Sequence, residues 1–563
     1  MKFPVRGLVA RWRSLVLLLC PLVLLPLAVS SYSESRCGFV VLVMAVYWMT
    51  EVLPLPITSL LPVVLYPMLG ILSSNDVCIQ YLKETNMMFV GGLIVAIAME
   101  HCNLHKRIAL KTILIIGTSP RRLTLGFMLT TMVLSMWISN TATTAMMTPI
   151  VQAVLEELKA HEDVEARRTS QVPAIADSEE ASGVYDPETR RKSTVLKSDL
   201  DKLKRPDKET ICYFLGIAYA SNLGGTGTLT GTGTNLTFKG IFHSLFPEAE
   251  GINFASWMIF CVPLMLLSVT AAWMWLNVLY MGLFRKQTDN GKKKGEEHAK
   301  AVRQVIHQSY SELGPMTYHE GSVLFLFVAI VLLWFFREPE FIPGWAKYIS
   351  NVEIEDATPA MLIVFLLFCL PANLNFLKLN KSGDASPALL HWKAVHEKVP
   401  WGLVLLLGGG FAMAAGTKAS GLNQLLGETL VALEVLPREV ILIIVCTATT
   451  FLTEVSSNTA IANIVTPVLA EMAKAMEIHP LYFMMPAVLC CSFAFMLPVA
   501  TPPNAIVMAA SNMRSSDMMK AGLGMNVICI ILVSILFPTF GSAVYGLDTF
   551  PDWARGTNIT TGV

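Results

Sequence analysis

The sequence predicts an all-α polytopic membrane protein of about eleven transmembrane helices plus two re-entrant hairpins, arranged as an inverted repeat. Three observations carry this. The 563 residues are 53% hydrophobic and only 15% charged, well below the roughly 25% charge of soluble domains. Most of that charge sits in a few loops, leaving long apolar blocks of the roughly 20 residues that a lipid core requires. A polar motif recurs 318 residues later with its surroundings.

The first block, 14–31, follows Lys2, Arg6, Arg11 and Arg13. It outruns a signal-peptide core and further spans follow at once, so it reads as a retained first helix with a cytoplasmic N-terminus. Further spans are expected near 38–53, 56–72, 87–101, 210–242, 256–284, 319–336, 357–371, 401–417, 481–510 and 520–546. Between them, 123–158 and 438–476 are too long for one span and carry polar centres, as hairpins do.

Charge tests the path. Loop 159–208 holds eleven Lys/Arg and loop 285–318 seven, whereas 337–356 holds only Arg337 and Lys347. Basic loops stay inside. Both read as disordered polar connectors, and the C-terminus falls outside, where Asn558-Ile559-Thr560 offers a glycosylation acceptor. The parts are then 1–158 (first-half helices and inward hairpin), the cytoplasmic loop 159–208, 209–284 (broken helix and next span) and the cytoplasmic loop 285–318. The second half follows as 319–437 (helices), 438–476 (outward hairpin), 477–546 (broken helix and last span) and the extracellular tail 547–563.

The repeat locates the site. Ser139-Asn140-Thr141-Ala142 with Thr148-Pro149 returns as Ser457-Asn458-Thr459-Ala460 with Thr466-Pro467, and Gly91-Gly92 returns at the same offset as Gly409-Gly410. Each hairpin precedes a Gly/Pro/Thr-rich break, at Gly231 to Asn235 and at Ala500 to Asn504. Those breaks lie 269 apart, the shortfall matching the long basic loop of one half. Span parity makes the halves inverted. Such architectures hold small solutes and ions near the midplane, between discontinuous helices.

Ser-Asn-Thr tips offer hydroxyls, amides and helix N-termini, which attract anions without a buried Lys or Arg. Ser135, Ser139 and Asn140, and likewise Thr453, Ser456 and Asn458, cluster oxygens as a hard cation needs, although such groups also hold membrane helices together. Glu454 is an intramembrane carboxylate, either functional or held structurally. Glu51 and Glu100 read as interfacial, and Lys106 and Arg107 beside His105 as snorkelling at the cytoplasmic face. Asn235 begins a second sequon but falls within a membrane element. The 11 cysteines read as buried thiols, and balanced charge, 42 basic against 42 acidic residues, speaks against nucleic acid. No Walker motif or nucleophile–base pair appears, so neither an ATP-driven pump nor an enzyme is expected, and no organic cofactor.

The two tips, the Asn103-Leu104-His105-Lys106-Arg107 segment and the run Leu497 to Ala505 together resemble the divalent-anion:sodium symporter family over nearly the whole chain. The segment Leu215 to Gly240 is most similar to the insect I'm-not-dead-yet branch. The resemblance implies a plasma-membrane homodimer that moves Krebs-cycle dicarboxylates and citrate by an elevator motion. It places substrate contacts at Asn140, Thr141, Asn458, Thr459 and Pro503. It places one cation site at Ser135, Ser139, Asn140 and Gly231, and a second at Thr453, Ser456, Asn458 and Ala500. Gly233-Thr234 and Ile461-Ala462-Asn463 depart from the family pattern. The insect branch implies cation-independent, electroneutral carriage. The alternatives are sodium-coupled symport and sulfate carriage; an anion channel is disfavoured because no charged rings line a path.

Overall fold

Helices carry most of the described residues. The computed structural model describes residues 12–117, 119–169, 206–249, 252–282, 289–339, 342–373, 386–430 and 436–555. Among them the only β feature is an isolated bridge between Pro371 and Ala388.

The first half opens with α1 (Trp12–Ala28), α2 (Ser33–Thr50) and the short α3 (Leu55–Thr58) and α4 (Leu61–Met68). The expected span 56–72 is therefore interrupted, with Pro54, Pro56 and Pro62 punctuating it. Next come α5 (Glu84–His101) and α6 (Leu104–Ile116), separated where Asn103 adopts a left-handed backbone, φ 59°. The first hairpin is α7 (Pro120–Ser135) and α8 (Asn140–Thr169). Its broken partner is α9 (Lys208–Gly224) and α10 (Gly233–Leu245), followed by α11 (Phe254–Leu276). A capping box, Asn253 with Ser256, starts α11.

Two connectors differ from expectation. Helix α8 runs on through Thr169 into the loop read as 159–208, whose residues 170–205 lie outside the described residues. Within 285–318 stands α12 (Asp289–Glu312), which packs on α6 and α8 through its buried Val302 and Ile306. An apolar pair one turn apart gives this otherwise charged segment a face to bury, which charge density alone conceals.

In the second half, α13 (Tyr318–Phe335) begins with a Thr317–Glu320 capping box. It leads to α14 (Ala357–Cys369) and α15 (Trp401–Ser420). The second hairpin is α16 (Arg438–Thr453) and α17 (Asn458–Ala475). Its broken partner is α18 (Leu481–Cys491) and α19 (Pro502–Ser511), and α20 (Ser515–Leu536) follows. Two adjacent prolines suit the first turn of α19, where their missing N–H groups cost nothing.

Among the described residues, five helical segments are long and apolar enough to cross a membrane: Ser74–His101, Phe254–Met281, Tyr318–Phe335, Trp401–Ser420 and Ser515–Tyr545. Trp12–Ala28, Leu55–Met68, Ala357–Cys369 and Leu481–Cys491 are apolar but shorter. Both hairpins, both broken helices, α11 and α20 pack on one another as one body, and α1, α2, α5, α13, α14 and α15 form a frame beside it; the two meet extensively where α10 and α17 pack on α15. The broken helices are the interior: every residue from Thr210 to Gly224 and from Leu481 to Cys491 is buried. A helix apolar all round belongs there. Frame and flank helices turn Phe325, Phe365, Leu332 and Ile535 outward, as lipid-facing surface does.

Candidate transport site

Each hairpin tip is tied to the break that follows it, and the two ties match. In the first half Ser135 Oγ stands 2.7 Å from Asn140 Oδ1 and 2.8 Å from the Ser221 carbonyl. In the second, Thr453 Oγ1 stands 2.6 Å from Asn458 Oδ1 and 2.8 Å from the Cys491 carbonyl. One hydroxyl proton serves only one acceptor at a time, so each cluster holds more lone pairs than protons. Electron-rich, uncharged oxygen of this kind suits a hard cation.

The breaks are held open in the same way. Asn235 Nδ2 donates to the carbonyls of Gly225 (3.0 Å) and Thr228 (2.8 Å). Asn504 Nδ2 donates to those of Ala494 and Leu497, both at 2.9 Å. Each amide satisfies carbonyls that unwinding would orphan. Glycine lets the backbone close in: a Cβ on Gly225 would lie 2.6 Å from Asn140 Oδ1, and one on Gly231 would run into the Gly225 carbonyl.

These contacts join the two tips. Asn140 meets Gly225, Gly225 meets Gly231, and a Cβ on Gly233 would lie 3.4 Å from Thr459 Oγ1. Ser221 Oγ donates to the Asn140 carbonyl at 2.7 Å, and Asn222 Nδ2 reaches Thr501 Oγ1 at 3.3 Å, so the first broken helix also touches the second break. Ser139 Oγ accepts from Ala142 N at 3.3 Å and caps α8. Thr141 is exposed, Thr459 and Pro503 are buried, and Ala500 packs inside the second break. The buried Ser456 hydroxyl has no protein partner. Of the site residues expected from sequence, Ser135, Asn140 and Gly231 are thus brought together at the first break, and Thr453 and Asn458 at the second. Asn558 lies outside the described residues.

Glu454 is engaged by the second break. Its carboxylate accepts from the backbone N–H groups of Phe495, Met496 and Leu497 at 2.8 to 3.1 Å, and from Asn526 Nδ2 at 2.8 Å. Arg107 differs from expectation. It does not snorkel: it is buried against Glu320, Nε to Oε1 3.1 Å, and donates to the Leu313, Gly314 and Pro315 carbonyls. Those carbonyls end α12 and precede α13, an arrangement no local spacing reveals. Sequence reasoning also assigned no role to Ser221, Asn222 or Asn526. The polar Ser-Asn pair in a buried apolar helix was the available signal for the first two.

Beneath the first tip lies a cavity of about 660 Å³, walled by Ile138, Ala142, Thr143, His105, Lys106 and Ile306 among others. It opens on the face that the expected path places inside. No group of three or more His, Cys, Asp or Glu suited to a metal occurs among the described residues.

A duplicated pair of hairpins locked to broken helices, with five membrane-length apolar helices among the described residues, defines a multi-pass membrane transporter. The profile of the sodium:sulfate symporter transmembrane region matches residues 8–547, and the chain belongs to that family. It is 45% identical to "Protein I'm not dead yet" of Drosophila melanogaster, over 97% of this chain and 91% of the relative. It is 44% identical to the Na(+)/citrate cotransporter of Rattus norvegicus, over 98% and 99% respectively. It is 42% identical to Na(+)/dicarboxylate cotransporter 3 of Homo sapiens, over 96% and 94%. The protein is a transporter and not an enzyme.

Proposed function

We propose that the protein is a sodium-coupled carrier of di- and tricarboxylates such as succinate and citrate. The observation that carries this is the paired oxygen cluster, Ser135 with Asn140 and Ser221 O, and Thr453 with Asn458 and Cys491 O. Two such clusters, each in contact with a break, accommodate two cations. This reverses the cation-independent expectation: neither cluster has lost an oxygen, and two of the relatives are named for sodium. Those names also specify citrate and dicarboxylate, which favours carboxylates over sulfate.

Sodium at the first cluster, held by Ser135, Ser139, Asn140 and the Gly231 backbone, sets the tip of α8. Sodium at the second, held by Thr453, Ser456, Asn458 and the Ala500 backbone, sets the tip of α17. The two helix N-termini then present N–H groups and dipole ends to the substrate carboxylates. Asn140, Thr141, Asn458, Thr459 and Pro503 shape the space between them. Neither tip carries Lys or Arg, so the anion is held by neutral donors and by the sodium that enters with it. Binding and release stay balanced.

The hairpins and broken helices move as one body against the frame. The carrier works as a plasma-membrane homodimer with its N-terminus inside and a glycosylated Asn558 outside. Uptake of radiolabelled citrate and succinate in sodium against choline medium tests the coupling. Loss of most uptake in choline is expected, and full uptake there restores the cation-independent reading.

A further inference from the structure

A buried ion cluster joins the two bodies at a place the transport site does not use. Lys239 Nζ lies 2.7 Å from Asp356 Oδ2 and 4.0 Å from Glu84 Oε2. Arg337 Nε lies 2.8 Å from Asp356 Oδ1, and its Nη1 reaches Glu355 at 3.3 Å. Glu84 also accepts from Ala357 N at 2.8 Å, and Trp334 Nε1 donates to the Asp356 carbonyl. Asp356 is fully buried and Lys239 nearly so. Lys239 belongs to α10, the broken helix; Asp356, Arg337 and Glu84 belong to the frame.

Position along α10 connects this cluster to the site. Lys239 is four residues beyond Asn235, hence on the same helix face one turn further from the break. Asn235 holds the unwound carbonyls, and Lys239 holds the frame. A 2.7 Å pair does not survive displacement of α10 by even a single turn, about 5.4 Å.

The repeat makes the contact one-sided. Asn235 corresponds to Asn504, so Lys239 corresponds to Met508. Met508 is thus the equivalent position in the other half of the inverted repeat. A thioether forms no ion pair, so the second half has no counterpart to the Lys239 contact. The five charged residues stand at or beside the ends of spans that the expected path places outside. Outward of them lies a cavity of about 1010 Å³ bounded by Lys239, Arg337, Glu355 and His243 among others. The cavity under the first tip opens on the other face.

We infer that Lys239 is a positioning residue: its pair with Asp356 holds the substrate-bearing body against the frame with the outer side shut, biasing the carrier toward its inward-facing state. This rests on the carrier reading above. A bias of this kind raises the apparent dissociation constant on the disfavoured side, which is the intrinsic one divided by the small fraction of carriers facing it.

Lys239→Met copies the second half, and Asp356 keeps its Arg337 partner in the variant. Succinate transport is measured from the outer side and, in inverted vesicles, from the inner side. In Lys239→Met the outer half-saturation concentration falls and the inner one rises, each by about threefold or more, while Lys239→Arg keeps both near wild type. Values that stay unchanged, or that move in the same direction on both faces, overturn the inference. If Lys239→Met does not reach the membrane, Lys239→Gln takes its place. Amide hydrogen exchange of purified, substrate-free protein separates this from the carrier reading. Faster exchange at 354–358 in Lys239→Met than in wild type is expected, and unchanged exchange overturns the inference. A wild-type protein that moves no succinate sinks the carrier reading and leaves the inference to be decided by exchange alone.

Discussion

Thr453 Oγ1 lies 2.6 Å from Asn458 Oδ1, and the same pairing recurs 318 positions earlier as Ser135 Oγ to Asn140 Oδ1 at 2.7 Å. Two halves that share little other sequence keep this interaction in matching geometry, as they keep the Asn235 and Asn504 amides across the breaks. In each, the hydroxyl ends the entering helix of a hairpin and the amide begins the returning one, so the pair closes the tip. Removing either amide leaves the facing hydroxyl and carbonyl without the oxygen that completes the cluster. Asn140→Ala and Asn458→Ala are each expected to reduce succinate uptake at least about tenfold, the effect of roughly 1.4 kcal/mol at a binding step. Surface biotinylation should show both variants at the membrane in wild-type amounts. Near-normal uptake in both would remove the tips from the site.

Glycine at the first break is a steric requirement. A methyl group on Gly225 would sit 2.6 Å from Asn140 Oδ1, inside van der Waals contact with a residue that has no free direction to retreat. Gly225→Ala is expected to abolish uptake. Gly314→Ala meets nothing within 4 Å, although its φ of +65° strains any side chain. It should lower stability modestly, by about 1 kcal/mol, and leave uptake in place. Comparing the two variants by uptake and by thermal unfolding separates crowding at the site from generic backbone strain.

Glu454 and Thr228 show how the halves solve one problem differently. In the first half the Thr228 hydroxyl donates to the Met136 carbonyl and ties the break to the tip. At the matching positions of the second, Leu497 N donates to Glu454 Oε2 at 3.1 Å, with Phe495, Met496 and Asn526 adding further donors. Glu454→Gln sets an amide NH₂ against N–H groups. It is expected to cost about 1 to 3 kcal/mol, the range for a buried donor left unsatisfied, seen as a lower unfolding temperature in detergent and as reduced uptake. Wild-type behaviour in both assays would show that the carboxylate is dispensable.

Much of this architecture was legible in sequence because it depends on local composition. Apolar length marks spans, proline and glycine mark breaks, and a duplicated Ser-Asn-Thr motif needs no partner to be recognised. The two breaks and both tips were placed on that basis. What sequence concealed depends on partners far along the chain. Arg107 read as a snorkelling cation because its partner, Glu320, is 213 residues away. Lys239 drew no reading of its own, because its partner Asp356 is 117 residues away. Helix α12 was hidden because two apolar residues, Val302 and Ile306, bury it within a run otherwise dominated by charge. Ser221 lies within the Leu215 to Gly240 segment, yet nothing local indicates that its hydroxyl meets the Asn140 carbonyl.

Arg107 should matter for stability rather than for affinity. Its guanidinium serves Glu320 and three carbonyls between α12 and α13, joining the first half to the second. Arg107→Ala leaves Glu320 buried without its cation, a change that costs roughly 3 to 5 kcal/mol where a buried pair is broken. The expected result is low surface abundance, with the surviving protein showing a wild-type half-saturation concentration for succinate. Arg107→Ala with Glu320→Ala removes both charges and should recover part of the abundance. No recovery in the double variant would assign the loss to the carbonyl contacts instead.

His479 supplies a pH-dependent term, and its sign can be worked out. It lies in the turn between α17 and α18, outside the spans. Its Nδ1 accepts from Leu481 N at 3.2 Å and its ring packs edge-on against Trp553, centroids 5.4 Å apart. Burial pushes its pKa from 6.5 down to about 4. The folded protein therefore keeps the ring neutral where an unfolded chain would protonate it. Stability from this group is fully present above pH 6.5 and is lost progressively as pH falls toward 4, to an extent on the order of 2 to 3 kcal/mol. Asparagine offers an acceptor oxygen and carries no titrating group, so His479→Asn should flatten that portion of the profile. Unfolding temperatures measured in detergent from pH 7.5 down to pH 4 check this. Equal steepness in wild type and His479→Asn would mean that other groups, above all the carboxylates, account for the acid sensitivity.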